Sequence, residues 1–140
     1  MSRAAALAAV ALGLARAAGG QAAPPVTLLY QNFPNPFPSA GANATCIWFD
    51  LRDAATVRLA VYDLQGRLVR TLIPSPTFRG QLGPGWYGRA TPGPAGTGCD
   101  DRFRWDGRGS DGRPVPAGVY LVRLFANGDR QTKKIVFRGL

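Results

Sequence analysis

Residues 119–138 read VYLVRLFANGDRQTKKIVFR, and this stretch decides the fold class. Successive side chains of a strand point to opposite faces. Arg123 turns its own set to solvent, which sends Tyr120, Val122 and Leu124 inward. Asn127-Gly128 supplies a tight hairpin turn. Arg130 to Arg138 then returns as the partner strand, with Ile135 and Phe137 inward. Helical periodicity is absent, and β-branched and aromatic residues dominate.

The same grammar recurs toward the N-terminus. Thr56 to Leu64 alternates, with Val57, Leu59 and Val61 inward and Arg58 outward. Asp63-Leu64-Gln65-Gly66 reads as a turn in which Gly66 takes a positive φ, and Arg67 to Ile73 returns. Cys46 to Leu51 places Ile47, Phe49 and Leu51 on the core face and Cys46, Trp48 and Asp50 on the outer one. Val26 to Leu29 and Phe103 to Asp106 are shorter strands. Three turn dipeptides follow Trp105: Asp106-Gly107, Gly109-Ser110 and Asp111-Gly112. The pattern predicts an all-β chain, an immunoglobulin-like β-sandwich of about seven strands. Gly 18 and Pro 12 suit frequent turns.

Two segments stand apart. Asn32-Phe33-Pro34-Asn35-Pro36-Phe37-Pro38 cannot be helical, because alternate prolines remove backbone donors and favour extended geometry. It is expected to be an extended strap with Phe33 and Phe37 as anchors, and either a recognition element or a cover for a sheet edge. Residues 74–101 hold five prolines and seven glycines around Trp86-Tyr87, and read as a long loop.

Residues 1–23 have the form of a secretory signal peptide. Arg3 is a positive start, Ala4 to Ala15 an apolar run too short to span a bilayer, and Ala15-Arg16-Ala17 a small-residue cleavage pattern. The folded domain is then 24–140. No later apolar stretch is long enough for a membrane span. In an oxidising compartment Cys46 and Cys99 are expected to pair. That bridge would tie the 74–101 loop over the outer face, covering Trp48, with Trp86 and Tyr87 packed there. Closing such a loop contributes roughly 3–4 kcal/mol in the chain-entropy model.

The formal net charge is +9, from 17 Lys and Arg against 8 acidic residues. All eight acids are Asp, and there is no His. The cations are scattered over strands rather than clustered, so no nucleic-acid partner is expected. Without His, a Ser-His or Cys-His nucleophile pair is impossible. Asp100, Asp101, Asp106 and Asp111 lack calcium-loop spacing. The expectation is no enzyme, no metal and no cofactor.

Several stretches resemble a known family. Leu29 to Phe37 is similar to the segment that opens C-terminal type IX secretion (Por) sorting domains and the Ig-like domain of the flagellar hook-capping protein and subtilisin-like protease type. Tyr62-Asp63-Leu64-Gln65-Gly66-Arg67 resembles their hairpin. Trp105-Asp106-Gly107-Arg108, with Gly118-Val119-Tyr120 further on, resembles their central motif. Lys133-Lys134 falls where sorting domains carry a final lysine pair. The resemblance spans about residues 28–138. It implies an Ig-like sandwich without a catalytic centre that is exported and recognised by a protein partner. That partner would be secretion machinery or, alternatively, an envelope or appendage assembly in which the chain is a structural subunit. The implied location is the periplasm, cell surface or extracellular space.

Overall fold

The computed structural model describes residues 22–140. The chain forms β1 (Leu28–Leu29), β2 (Thr45–Cys46), β3 (Phe49–Leu51), β4 (Ala55–Thr56), β5 (Arg58–Asp63) and β6 (Leu68–Ile73). It continues with β7 (Gln81–Leu82), β8 (Gly85–Tyr87), a 3-10 turn over Asp101–Phe103, β9 (Arg104–Trp105), β10 (Gly118–Ala126) and β11 (Asp129–Phe137). The fold is all-β, with several sheets arranged as a β-sandwich.

The first layer is one antiparallel sheet in the order β11-β10-β5-β6. Two hairpins build it. Asn127 and Gly128 both adopt positive φ, as the tight turn between β10 and β11 requires. Gly66 does so between β5 and β6. Asp63 Oδ1 accepts from the amides of Gln65 and Arg67 and fixes that second turn. The inward residues Leu59, Val61, Tyr120, Val122, Leu124, Ile135 and Phe137 are all buried, as the alternation predicts.

The second layer is made of short pieces: β1-β3-β8, the pair β2-β9 and the pair β4-β7. Ile47, Phe49 and Leu51 face the first layer and are fully buried. Between the layers lies an aromatic cluster. Phe37, Trp105, Tyr120 and Phe137 have ring centres 4.9 to 6.4 Å apart. Each fully buried large apolar side chain contributes about 1.5–3 kcal/mol. Gly107 is obligatory beside them, because its φ is +80° and a Cβ there would lie 2.3 Å from the Phe137 ring. Gln131 ties the layers at one margin: its side-chain amide accepts from Leu29 N and donates to Thr27 O, each at 2.8 Å.

Residues 74–101 depart from the expected loop. They contain β7 and β8, and β8 pairs with β3, Phe49 opposite Tyr87 and Asp50 opposite Trp86. Tyr87 therefore stacks on Phe49 at 5.2 Å on the core side, and only Trp86 shares the outer face with Asp50. Their expected joint packing outside fails because neighbouring strand residues face opposite ways. The predicted leader lies, apart from Ala22 and Ala23, outside the described residues. Among the described residues no helix is long and apolar enough to cross a membrane.

Candidate functional site

The strap and the last strand meet. Phe37 N donates to Val136 O at 3.0 Å, and Arg138 N donates to Phe37 O at 2.7 Å. Asn35 reaches the same edge: its Oδ1 accepts from Val136 N at 2.8 Å and its Nδ2 donates to Lys134 O at 3.2 Å. Gln31 Nε2 adds a bond to Lys134 O at 2.9 Å. The exposed edge of β11 is thereby satisfied over residues 134–138, which removes a template for strand addition. At its other end the strap pairs with β2, through reciprocal bonds between Phe33 and Cys46. Asn32 is buried and donates to Thr45 Oγ1, which in turn donates to Pro34 O.

The anchors differ from expectation. Phe37 is fully buried against Trp105 and Phe137, but Phe33 is 73% exposed. The backbone bridges at Phe33 and Phe37, and bends between them over 34–36 instead of running extended. Pro36 is exposed and Pro34 half-buried. Phe33 forms one wall of a 550 Å³ cleft that continues past Asn43, the Cys46–Cys99 disulfide, Arg70, Arg104 and Asp106. Its charges pair with each other or with near neighbours: Arg70 lies 3.6 Å from Asp106, and Arg104 lies 3.4 Å from Asp101.

Most residues of the family-like pattern serve the fold. Trp105 is fully buried and its Nε1 donates to Arg108 O at 2.8 Å. Asp106 accepts from Arg108 N and caps the turn after it. Tyr120 donates its hydroxyl to Pro116 O, and burial pushes its pKa up. Gly66 and Arg67 belong to the hairpin turn, where Arg67 Nε lies 2.7 Å from Asp63. Hydrogen bonds from Arg67 hold the Asp63 carboxyl below the usual carboxylate range. Gly118 starts β10. Lys133 is half-buried and Lys134 exposed, with neither ion-paired to a described residue.

Cys46 and Cys99 are bonded, and the segment they tie down does cover the outer face. Trp48 is half-buried and its Nε1 donates to Gly98 O. The sequence reading missed what lies beneath. Arg89 is buried, with its guanidinium 4.7 Å from the Trp48 ring centre and 5.4 Å from that of Tyr30. It lies 3.2 Å from Asp50 Oδ1, an ion pair off the line of a well-aligned hydrogen bond. The Tyr30 hydroxyl donates to Asp50 Oδ2 at 2.6 Å, which raises the Tyr30 pKa. Asp50 is thus on the outer set, as predicted, but buried. An Asp inside the apolar strand Phe49–Leu51, two residues after Trp48, was the available signal.

No family model matches this chain, and no curated protein matches it at a significant level.

Proposed function

We propose that this chain is an exported, non-enzymatic, immunoglobulin-like interaction module of the type IX sorting kind, recognised through the composite edge of strap and last strand. One observation carries the reading. The Asn-Pro strap and the Lys133-Lys134 strand, a hundred residues apart in sequence, form a single hydrogen-bonded surface. Trp105, Gly107 and Tyr120 are consumed by the core behind it. What the edge offers outward is Phe33, Pro36 and Lys134, with the cleft beside Phe33 able to take a partner side chain. The disulfide suits an oxidising compartment. Six of the eight aspartates are paired with arginines and Asp111 caps the Arg113 amide, which favours structural over catalytic use.

The alternative, a structural subunit joined to neighbours by edge-strand pairing, loses support at β11, where the strap occupies the edge.

The test is a reporter carrying residues 24–140 at its C-terminus, expressed in a host with type IX secretion. The reporter is expected at the cell surface or in the medium. Phe33→Ala with Lys134→Ala is expected to retain it in the periplasm at unchanged melting temperature. Periplasmic retention of the unaltered fusion would sink the sorting version.

A further inference from the structure

The strap and the cleft leave most of one large surface without a role: the outer face of the four-stranded sheet, of which Lys134 also borders the strap. Its registers fix which residues share it. Tyr62, Leu121 and Lys134 form one row, Ala60, Arg123 and Thr132 the next, and Arg58, Phe125 and Arg130 the third. Ala60 and Tyr62 are buried yet lie outside the core cluster, so neighbouring side chains on this face cover them.

Cations that read as scattered along the strands are gathered by the registers on this face, contrary to the expectation from sequence. Every row carries a cation, and no row carries a carboxylate. Arg58, Arg123, Arg130 and Lys134 make no ion pair with any described residue, whereas Arg52, Arg67, Arg70, Arg89, Arg102, Arg104 and Arg108 all do. Two of the four lie over rings. The Arg123 guanidinium lies 5.0 Å from the Tyr62 ring centre, and that of Arg58 lies 5.9 Å from Phe125. The Arg123 Nε is buried there without a hydrogen-bond partner. A guanidinium fixed over a ring is pre-organised, so less side-chain entropy is lost when its fork meets a carboxylate.

We infer that this face is a docking surface for an acidic segment of a partner protein, in extended conformation. Spacing and chemistry select that occupant. Rows on one face of a sheet repeat about every 6.8 Å, the interval at which an extended peptide presents same-side residues. Carboxylates at alternate positions therefore reach successive rows, while the residues between them face away from the sheet. A nucleic-acid single strand fits less well, because the ring faces it would stack on are covered by arginines. The inference stands apart from the sorting reading, since Arg58, Arg123 and Arg130 lie outside the strap edge.

The test measures fluorescence anisotropy of a labelled peptide of alternating Asp and Ser with the purified full chain. Binding is expected at low salt, weakening at higher salt as screening sets in. Arg58→Glu with Arg130→Glu should weaken it at least about tenfold. Arg79→Glu with Arg113→Glu makes the same change in net charge at exposed positions away from this face, and should leave affinity within about twofold. Equal loss in both pairs would reduce the effect to net charge and overturn the inference. So would tighter binding of oligo-dT or of phosphatidylglycerol vesicles than of the peptide. Loss in the first pair alone, at unchanged melting temperature and with reporter sorting intact, supports it.

Discussion

The two layers of this sandwich are held by different means. The first is two hairpins, each closed by a turn of its own, joined side by side through six-residue pairing of β5 with β10. The second is a set of strands two or three residues long, too short to be stable alone. They are joined by contacts between distant residues: the Cys46–Cys99 bond, the Asp50–Arg89 pair, the Gln131 amide and the strap. Local sequence specifies each hairpin of the first layer. Long-range chemistry specifies the second layer, and there the individuality of the chain is concentrated.

The sharpest way to break this division is at the residue that both layers share. Trp105→Ala removes the centre of the aromatic cluster and is expected to cost about 3–5 kcal/mol by urea titration. Loss of protection in both layers at once is expected by hydrogen exchange. If the β10–β11 amides kept theirs, the hairpins would be independent of the cluster.

Next is the buried pair. Arg89→Ala leaves Asp50 charged and unpaired under Trp48, at a cost of about 3 kcal/mol or more. Arg89→Met with Asp50→Asn removes both charges while the Asn side chain still accepts from Tyr30, and is expected to recover most of that loss. Failure of the double variant to recover would place the cost in lost packing on Trp48 and Tyr30.

Reducing the bridge should be slightly milder. Cys46→Ser with Cys99→Ser is expected to cost about 2–4 kcal/mol. Its signature is regional: amides of β3 and β8 exchange faster, while those of β10 and β11 change only with global stability. Uniform acceleration would show that the second layer is not a separate unit.

The same division decides what was legible in the sequence. Alternation over six to nine residues exposes a strand and its inward face, so Val57, Leu59, Val61, Tyr120, Val122, Leu124, Ile135 and Phe137 were read correctly. β7 and β8 are two and three residues long, too short for a period of two to show, and they vanished into a Pro/Gly-rich loop. The strap was legible as non-helical, but its anchors were not. Phe33 and Phe37 are chemically alike, and only the bend over 34–36 sends one outward and the other into the core. The covering of Trp48 followed from the outward set of Cys46, but nothing local told that Arg89 would be the residue brought there.

The smallest expected effect lies at the seam where the tied segment rejoins the core. Asp100 caps the 3-10 turn, its Oδ1 accepting from Arg102 N at 3.0 Å, and its Oδ2 accepts from Arg102 Nη2 at 2.7 Å. Those bonds from Arg102, with its charge, hold the Asp100 carboxyl below the usual carboxylate range. A carboxylate whose pKa falls on folding stabilises the native state above its unfolded pKa of about 3.9. That contribution is lost as pH falls through the lower folded value. Asp100→Ala is therefore expected to cost about 1 kcal/mol near neutral pH, as a lost cap. The gap to the unaltered chain should close as the pH is taken below about 4. Melting temperatures recorded for both proteins across that range check the sign. A gap that held constant to low pH would show that the Asp100 side chain caps the turn through shape and neutral hydrogen bonding rather than through its charge.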